Sequence, residues 1–354
     1  MVRKFSLAIL FFAFASVAFP QSGRIKPPET PLPRPRIIYL PTAESSPPTP
    51  KPLPTPTPTP VAEAENDEDI IRVDSALVPI PVSVTDQTGK AITTLKLEDF
   101  ELAINGTTAE ISDVSRSETP VRLALLFDNS SSATIAREFE KKAAIRFFKR
   151  VIRPEKDLAA LYSVSTGSRL EQPLTKNISQ LNLAIENFPE PQGATALLDG
   201  IIKAAEYLKE VEGRRVVVIV SDGDDTISDQ TFERTVEVVQ AANCQVYVVK
   251  TTDFENFKRT GVRGGNANIR ALSAERRMQE LALQTGGAVY SPIDERELDA
   301  AFNQISAELS QQYILNYYPQ ELIKPKEFRT ISLKIKRREN LTLRTRKGYY
   351  ISKR

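Results

Sequence analysis

The chain of 354 residues contains no histidine and only one cysteine, Cys244. The absence of histidine excludes Ser-His-Asp and Cys-His catalysis, and every histidine-ligated zinc or iron site, within this chain. A single cysteine excludes an intramolecular disulfide, and its place before the apolar run QVYVVK predicts a small core residue rather than a reactive thiol. Catalytic mechanisms and metal sites that need histidine are therefore excluded.

The chain also lacks an excess of either charge. It contains 47 lysines and arginines and 45 aspartates and glutamates, which gives a net charge of +2. A balance of this kind gives no general argument for binding nucleic acid or for an affinity to membrane surfaces.

Residues 1–18 have the order of charge and hydrophobicity that is typical of a secretory signal peptide. Arg3 and Lys4 precede an apolar run from Phe5 to Phe19, and the triplet Ser16, Val17, Ala18 suits a cleavage site. The run is shorter than the roughly 20 residues that span a bilayer, so an uncleaved anchor is the lesser alternative. We expect a mature protein that begins near Phe19 and is periplasmic, secreted or attached to the cell surface.

Residues 19–68 form a proline-rich segment that is predicted to be a disordered linker. Of the 25 prolines in the chain, 15 lie between Pro20 and Pro60. An extended polyproline segment of this length reaches on the order of 120 Å, which suits a spacer. A docking site for a proline-recognising partner is the alternative.

The stretch from Val121 to Ser132, VRLALLFDNSSS, is the most informative in the chain. Its apolar run predicts a strand that is buried on both faces and ends at a carboxylate. Asp128, Ser130 and Ser132 alternate across the turn that follows, so one carboxylate and two hydroxyls can converge on one point. Oxygen ligands in that arrangement suit a small hard cation.

Two later stretches have matching features. The run RVVVIV ends in Ser221, Asp222 and Gly223, and a loop of small residues, Gly193 to Thr195, opens a predicted helix. A DxSxS turn after a first buried strand, an isolated threonine after a glycine loop and an SDG turn after a later strand together resemble the metal-ion-dependent adhesion site of von Willebrand factor A domains. The resemblance implies five metal ligands: Asp128, Ser130, Ser132, Thr195 and Asp222.

The resemblance also implies a function. Two carboxylates and three hydroxyls would bind Mg²⁺, or alternatively Mn²⁺ or Ca²⁺, and leave one position for an aspartate or glutamate of a partner protein. We therefore expect adhesion without bond chemistry. Three alternatives remain: a structural module of an envelope assembly that binds through its β regions, a motif that no longer binds metal, and a metal-dependent hydrolase, which the lack of an evident general base disfavours.

Alternation of strand and helix patterns between residues 119 and 311 predicts a Rossmann-like, doubly wound and mostly parallel sheet, the A domain. Ligands of such sheets bind at the carboxyl ends of the strands, where all five candidate residues fall. The predicted strands are Val121 to Phe127, Asp157 to Ser165, Arg169 to Pro173, Arg215 to Val220, Gln245 to Lys250 and Ala288 to Tyr290. The predicted helices are Ala133 to Ile152, Ile178 to Phe188, Ala196 to Lys209, Asp229 to Ala242, Ala274 to Thr285 and Glu295 to Gln311.

Segments 69–118 and 312–354 flank this domain and have the alternating pattern of β-strands, with an Asn105, Gly106 hairpin signal in the first. Neither is large enough for a good core of its own, so we expect one shared sandwich, with two independent sheets as the alternative.

The connection from Thr251 to Leu272, with four basic residues among glycines, is predicted to be a long loop that either selects partners or is a surface insertion. Asp224 and Asp225 suit exposed turn acids better than a second cation site.

Overall fold

The computed structural model describes residues 77–116, 118–131, 137–263, 269–319, 327–336 and 340–350. The chain divides into two units, Met1–Glu68 and Asp69–Arg354, and every described residue belongs to the second. The predicted signal peptide, the linker and Ser132 lie outside the described residues. No helix among the described residues is long and apolar enough to cross a membrane.

A six-stranded sheet forms the centre of the molecule, in the order β10-β9-β8-β5-β6-β7. All neighbours pair in parallel except β6 and β7, which are antiparallel. The predicted class, a mostly parallel doubly wound sheet, is confirmed. The strands are β5 (Val121–Asp128), β6 (Leu158–Val164), β7 (Ser168–Thr175), β8 (Arg214–Ser221), β9 (Cys244–Lys250) and β10 (Val289–Tyr290).

Helices cover both faces of this sheet. Alternate residues of β5 point to opposite faces: Leu125 and Phe127 belong to one apolar cluster, and Ala124 and Leu126 to the other. Burial on both faces explains why the strand reads as a continuous apolar run. The helices are α1 (Arg137–Val151), α2 (Ile178–Glu186), α3 (Leu197–Lys209), α4 (Phe232–Ala241), α5 (Thr252–Thr260), α6 (Ile269–Thr285) and α7 (Glu295–Gln311).

Two four-stranded antiparallel sheets enclose a third apolar cluster. Each sheet combines strands from both ends of the unit, since β1 pairs with β11 and β13, and β2 pairs with β12. The flanking segments therefore share one sandwich. Its strands are β1 (Val78–Thr85), β2 (Phe100–Ile104), β3 (Thr107–Ala109), β4 (Asp113–Arg116), β11 (Tyr313–Tyr317), β12 (Phe328–Ile335), β13 (Thr342–Thr345) and β14 (Gly348–Tyr350).

The predicted long loop from Thr251 to Leu272 is wrong over most of its length. Residues 252–260 form α5, and α6 begins at Ile269 rather than at Ala274. Helix α5 has only two large apolar residues, Phe254 and Phe257, and Ile269 is 85% exposed, so both stretches have too few buried apolar residues to predict a helix. Gly261, with a left-handed φ of 70°, ends α5.

A buried polar cluster joins α7 to the sandwich. The side-chain amide of Gln312 donates to the Oγ of Ser83 at 2.7 Å and to the hydroxyl of Tyr247 at 3.2 Å. The guanidinium of Arg214 donates to the side-chain oxygen of Gln312 and, at 2.8 Å, to the carbonyl of Leu309. Gln312 therefore satisfies polar groups of both the central sheet and the sandwich.

Gly287 is expected to be the glycine whose replacement costs most stability. A Cβ at this position would lie 1.8 Å from the carbonyl oxygen of Val246, because the chain before β10 passes directly over β9. We expect Gly287→Ala to lower the free energy of unfolding by about 3 kcal/mol, since the backbone must shift. Gly167→Ala is the matched control, because a Cβ added at Gly167 would meet nothing within 4 Å among the described residues. Equal denaturant midpoints for the two variants would contradict this expectation.

Candidate functional site

The candidate site lies at the carboxyl ends of β5, β8 and β9. Asp128 is the last residue of β5, Ser221 is the last residue of β8, and Asp222 follows it. Thr195 lies in the loop that leads into α3. Parallel pairing of β5 with β8 brings the two carboxylate-bearing ends to the same edge of the sheet.

Asp128 is buried and held on both of its oxygens. Its Oδ1 accepts a hydrogen bond from the backbone N–H of Ser130 at 2.9 Å, and its Oδ2 accepts one from the hydroxyl of Ser221 at 2.6 Å. Asp128 and Ser130 are 3% and 2% exposed. The turn after β5 is therefore fixed directly to the end of β8.

The Thr195 loop is fixed to both of the other loops. The carbonyl of Gly193 in this loop accepts a hydrogen bond at 3.1 Å from the backbone N–H of Ser131, which lies within the first motif. The backbone N–H of Thr195 donates to the hydroxyl of Thr226 at 2.9 Å, and its carbonyl accepts from the N–H of Thr226 at 2.8 Å. Backbone and hydroxyl contacts thus join all three motif segments.

Asp222 is positioned by the turn that carries it. Its Oδ1 accepts from the backbone N–H of Asp224 at 2.9 Å, and its carbonyl accepts from the hydroxyl of Thr252 at 3.3 Å. The Asp224 carboxylate forms an ion pair with Arg270 at 2.6 Å, and the Asp225 carboxylate accepts from the N–H of Leu198 at 3.2 Å. These contacts favour turn acids over a second cation site at Asp224 and Asp225.

The site concentrates negative charge. Burial, and then the charge of Asp222, raises the pKa of Asp128 to about 6, although hydrogen bonds from Ser221 and Ser130 act in the opposite direction. Two further carboxyl groups respond to the same charges. Burial and the neighbouring charges of Glu255 and Asp128 raise the pKa of Glu140 well above its ordinary value. Burial and the charges of Asp222 and Asp128 raise the pKa of Glu255 to about 8.

Sequence reasoning missed both Glu140 and Glu255. Glu140 precedes the buried Ala143, Ala144 and Phe147 by three, four and seven residues, so it lies on the buried stripe of α1. An acidic residue at helical spacing within an apolar stripe was a signal that could have identified it. Glu255 lies on α5, which the sequence did not predict.

The donor chemistry of the described residues fits a hard divalent cation. All candidate ligands present oxygen, and two carboxylates with additional neutral oxygens suit Mg²⁺. Among the described residues, no three His, Cys, Asp or Glu side chains converge as a group that could hold a metal ion. Hydroxyl groups would therefore have to complete the ligand set around Asp128 and Asp222. Glu140 Oε1 is also buried without a hydrogen-bond partner among the described residues, which suits a place where a bound cation would offset negative charge.

Comparison with solved structures finds similar folds at low sequence identity. The conserved hypothetical protein BatB from Bacteroides thetaiotaomicron is 16% identical and has a TM-score of 0.41, covering 53% of this chain and 98% of that chain. The vWF domain of the type V pili tip protein Mfa5 from Porphyromonas gingivalis is 12% identical, with a TM-score of 0.42 and coverages of 53% and 94%. Likeness at this level carries no inference about function.

Sequence comparison matches part of the chain to a known domain type. The collagen alpha-1(VI) chain of Gallus gallus is 27% identical over 174 residues, which are 45% of this chain and 17% of that relative. A family model described as von Willebrand factor type A domain matches residues 123–224, which include β5, the Thr195 loop and β8 with its SDG turn. The chain therefore contains a von Willebrand factor type A domain.

Proposed function

We propose that this chain is an exported protein-interaction module that binds an acidic group of a partner protein through a divalent cation. The cation would be held by Asp128, Ser130, Ser132, Thr195 and Asp222, with Mg²⁺ favoured and Mn²⁺ or Ca²⁺ as substitutes. The observation that carries the proposal is the hydrogen bond from Ser221 to Asp128, because it fixes the first motif carboxylate beside the strand end that bears the second. The family match and the similarity to a collagen chain support an interaction role.

In this proposal the protein positions the cation and its ligands and carries out no chemical reaction. The bound cation would supply an open coordination position for a carboxylate oxygen of the partner. Asp128 and Asp222 supply two negative charges at one sheet edge, and the contacts of Thr195 with Thr226 keep the third loop in place. The domain then needs no catalytic acid or base, and we expect no turnover.

Affinity capture tests the proposal. Full-length protein would be used to capture partners from an envelope extract with Mg²⁺ or with a chelator, alongside the variants Asp222→Asn and Asp229→Asn. Asp229 is exposed and lies seven residues beyond Asp222 in the same loop, so its replacement is the matched control. We expect one set of partners that wild type and Asp229→Asn capture only with Mg²⁺, and that Asp222→Asn does not capture.

Two other results would contradict the proposal. If partners are still captured in the presence of the chelator and by Asp222→Asn, binding takes place through the β sandwich or the linker. If the protein turns over a substrate, and this activity requires both Mg²⁺ and Asp222, the protein is an enzyme.

A further inference from the structure

Glu140 is a buried carboxyl group with an unsatisfied oxygen. It lies in the first turn of α1, is 2% exposed, and its Oε1 has no hydrogen-bond partner among the residues that the structure describes. The nearby positive side chain of Arg137 donates instead to the side chain of Asn129 and to the carbonyl of Pro189. A buried acid in this position is costly unless something positive compensates it.

Glu255 lies in the first turn of α5, next to the end of β8. The backbone N–H of Thr251 donates to the carbonyl of Ser221 at 3.0 Å, and the hydroxyl of Thr252 donates to the carbonyl of Asp222. The hydroxyl of Thr251 in turn donates to Glu255 at 3.3 Å. Glu255 is thus tied, through one helical turn, to the strand end that carries Asp222.

Negative charge outweighs positive charge around these two acids. The main charges that act on Glu140 are those of Glu255, Asp128 and Asp222, opposed by Arg137. The main charges that act on Glu255 are those of Asp222 and Asp128, opposed by Arg259. Helices α1 and α5 are also in contact here, because the ring centres of Phe139 and Phe254, the neighbours of these two acids in sequence, lie 6.2 Å apart. Among the described residues, the acids of β5, α1, α5 and the turn after β8 therefore share one region with fewer cations than carboxylates.

A further lysine on α5 is engaged elsewhere. The Nζ of Lys258 lies 3.9 Å from the ring centre of Phe139 and forms an ion pair with Glu295. Its charge is therefore directed to another carboxylate, outside the group formed by Glu140, Glu255 and the two motif aspartates.

We propose that Glu140 and Glu255 form an inner carboxylate layer behind the cation site, which strengthens cation binding electrostatically without ligating the ion. This inference rests on the proposed cation site. Neither residue is a ligand in this inference, because both act on the ion only through the electric field of their carboxylates. Carboxylates outside the ligand set can increase the affinity of a metal site for its cation.

The layer has opposite effects in the two states of the site. Without a cation, the four acids repel one another or take up protons, and burial adds to the cost. With a cation, the carboxyl groups release those protons, and their negative charges then face a positive centre in a buried region of low dielectric. Neutralising Glu140 or Glu255 should therefore weaken cation binding while leaving the metal-free fold as stable as before, or more stable.

Calorimetric titration of the full-length chain with Mn²⁺ tests the inference on wild type, Glu140→Gln, Glu255→Gln and Glu138→Gln. Glu138 is exposed and lies two residues before Glu140 on the same helix, so its replacement is the matched control. We expect each inner variant to lose at least about tenfold in affinity, within the range for outer-layer groups of metal sites, and the control to remain within roughly twofold. Melting temperatures in a chelator should not fall for either inner variant.

The possible outcomes separate this inference from the proposed function. If wild type binds Mn²⁺ and the inner variants bind it equally well, the inner layer is wrong and the cation site stands. If the inner variants lose affinity but also melt earlier in the chelator, their role is structural and the inference is overturned. If wild type binds no Mn²⁺, the proposed cation site fails and the inner layer fails with it.

Discussion

Asp128→Ala is expected to abolish the stabilisation of this chain by Mg²⁺ or Mn²⁺. Asp128 supplies one of only two carboxylates in the proposed ligand set, and its loss leaves a single negative charge among neutral hydroxyls. For wild type, a cation that binds only the folded state should raise the free energy of unfolding by about 2.7 kcal/mol at a hundredfold excess over its dissociation constant. We expect a gain near zero for Asp128→Ala.

Thr195→Ala should give an intermediate result. The side-chain hydroxyl is a neutral oxygen that water can partly replace, and the backbone contacts of Thr195 with Thr226 do not depend on that hydroxyl. We therefore expect most of the cation-induced stabilisation to remain and the capture of partners to fall. Thermal melts of the three proteins with Mg²⁺ or Mn²⁺ titrated in would check the order. A wild-type protein without a cation-dependent shift or a bound ion by calorimetry would contradict the proposed site.

The pH dependence of the stability of the metal-free protein tests the environment of Asp128 independently of cation binding. Burial and Asp222 raise the pKa of Asp128 from 3.8 to about 6, so the folded state binds this proton more tightly than the unfolded chain. The contribution of this group to the free energy of unfolding in a chelator should therefore fall as the pH rises from about 4 to about 6. Asp128→Ala should lack that contribution. The difference between the pH profiles of wild type and Asp128→Ala therefore reports the titration of Asp128 and not the general effect of acid on the protein.

The central sheet could be predicted because its strands are buried on both faces. Val121–Asp128 and Arg214–Ser221 differ from their predicted bounds by one or two residues, since a continuous apolar run ends where the chain leaves the sheet. Helix α5 could not be predicted in the same way. Its nine residues contain only two large apolar side chains, Phe254 and Phe257, which are too few for a recognisable apolar stripe.

The candidate site was predictable in part, for a related reason. Asp128, Thr195 and Asp222 occupy sequence motifs, whereas Glu140 and Glu255 belong to no motif and become neighbours of the site only when α1 and α5 pack beside the strand ends. Their position depends on tertiary structure, which spacing along the chain does not encode. The assignment of metal ligands, Ser132 included, stays a prediction that the cation titrations test.

Deletion of residues 313–354 is expected to unfold the N-terminal β segment and to leave the A domain folded. The deletion removes β11, which lies between β1 and β4, and β12, which pairs with β2. The remaining strands would expose Ile80, Val82 and Leu102, which are at most 1% exposed in the intact chain. An isolated hairpin and two unpaired strands cannot bury enough apolar area to stay folded.

The deletion should begin after Gln312, since this side chain accepts a hydrogen bond from the buried guanidinium of Arg214 in the A domain. Limited proteolysis with an enzyme that cleaves at large apolar residues would check the result. We expect rapid cleavage within residues 78–116 and protection of residues 121–311, whose two apolar clusters lie within the A domain.

A point substitution tests the same sandwich without removing chain. Leu315 is fully buried at the centre of β11, so Leu315→Ala should destabilise the sandwich by about 3 kcal/mol. Tyr318, one residue beyond β11, is 53% exposed, and Tyr318→Ala should have little effect. Because the sandwich core is separate from the two clusters of the A domain, Leu315→Ala should increase cleavage at residues 78–116 far more than at residues 121–311. Equal resistance of residues 78–116 in the deletion variant and in the intact chain would mean that the N-terminal segment folds by itself, contrary to the shared core.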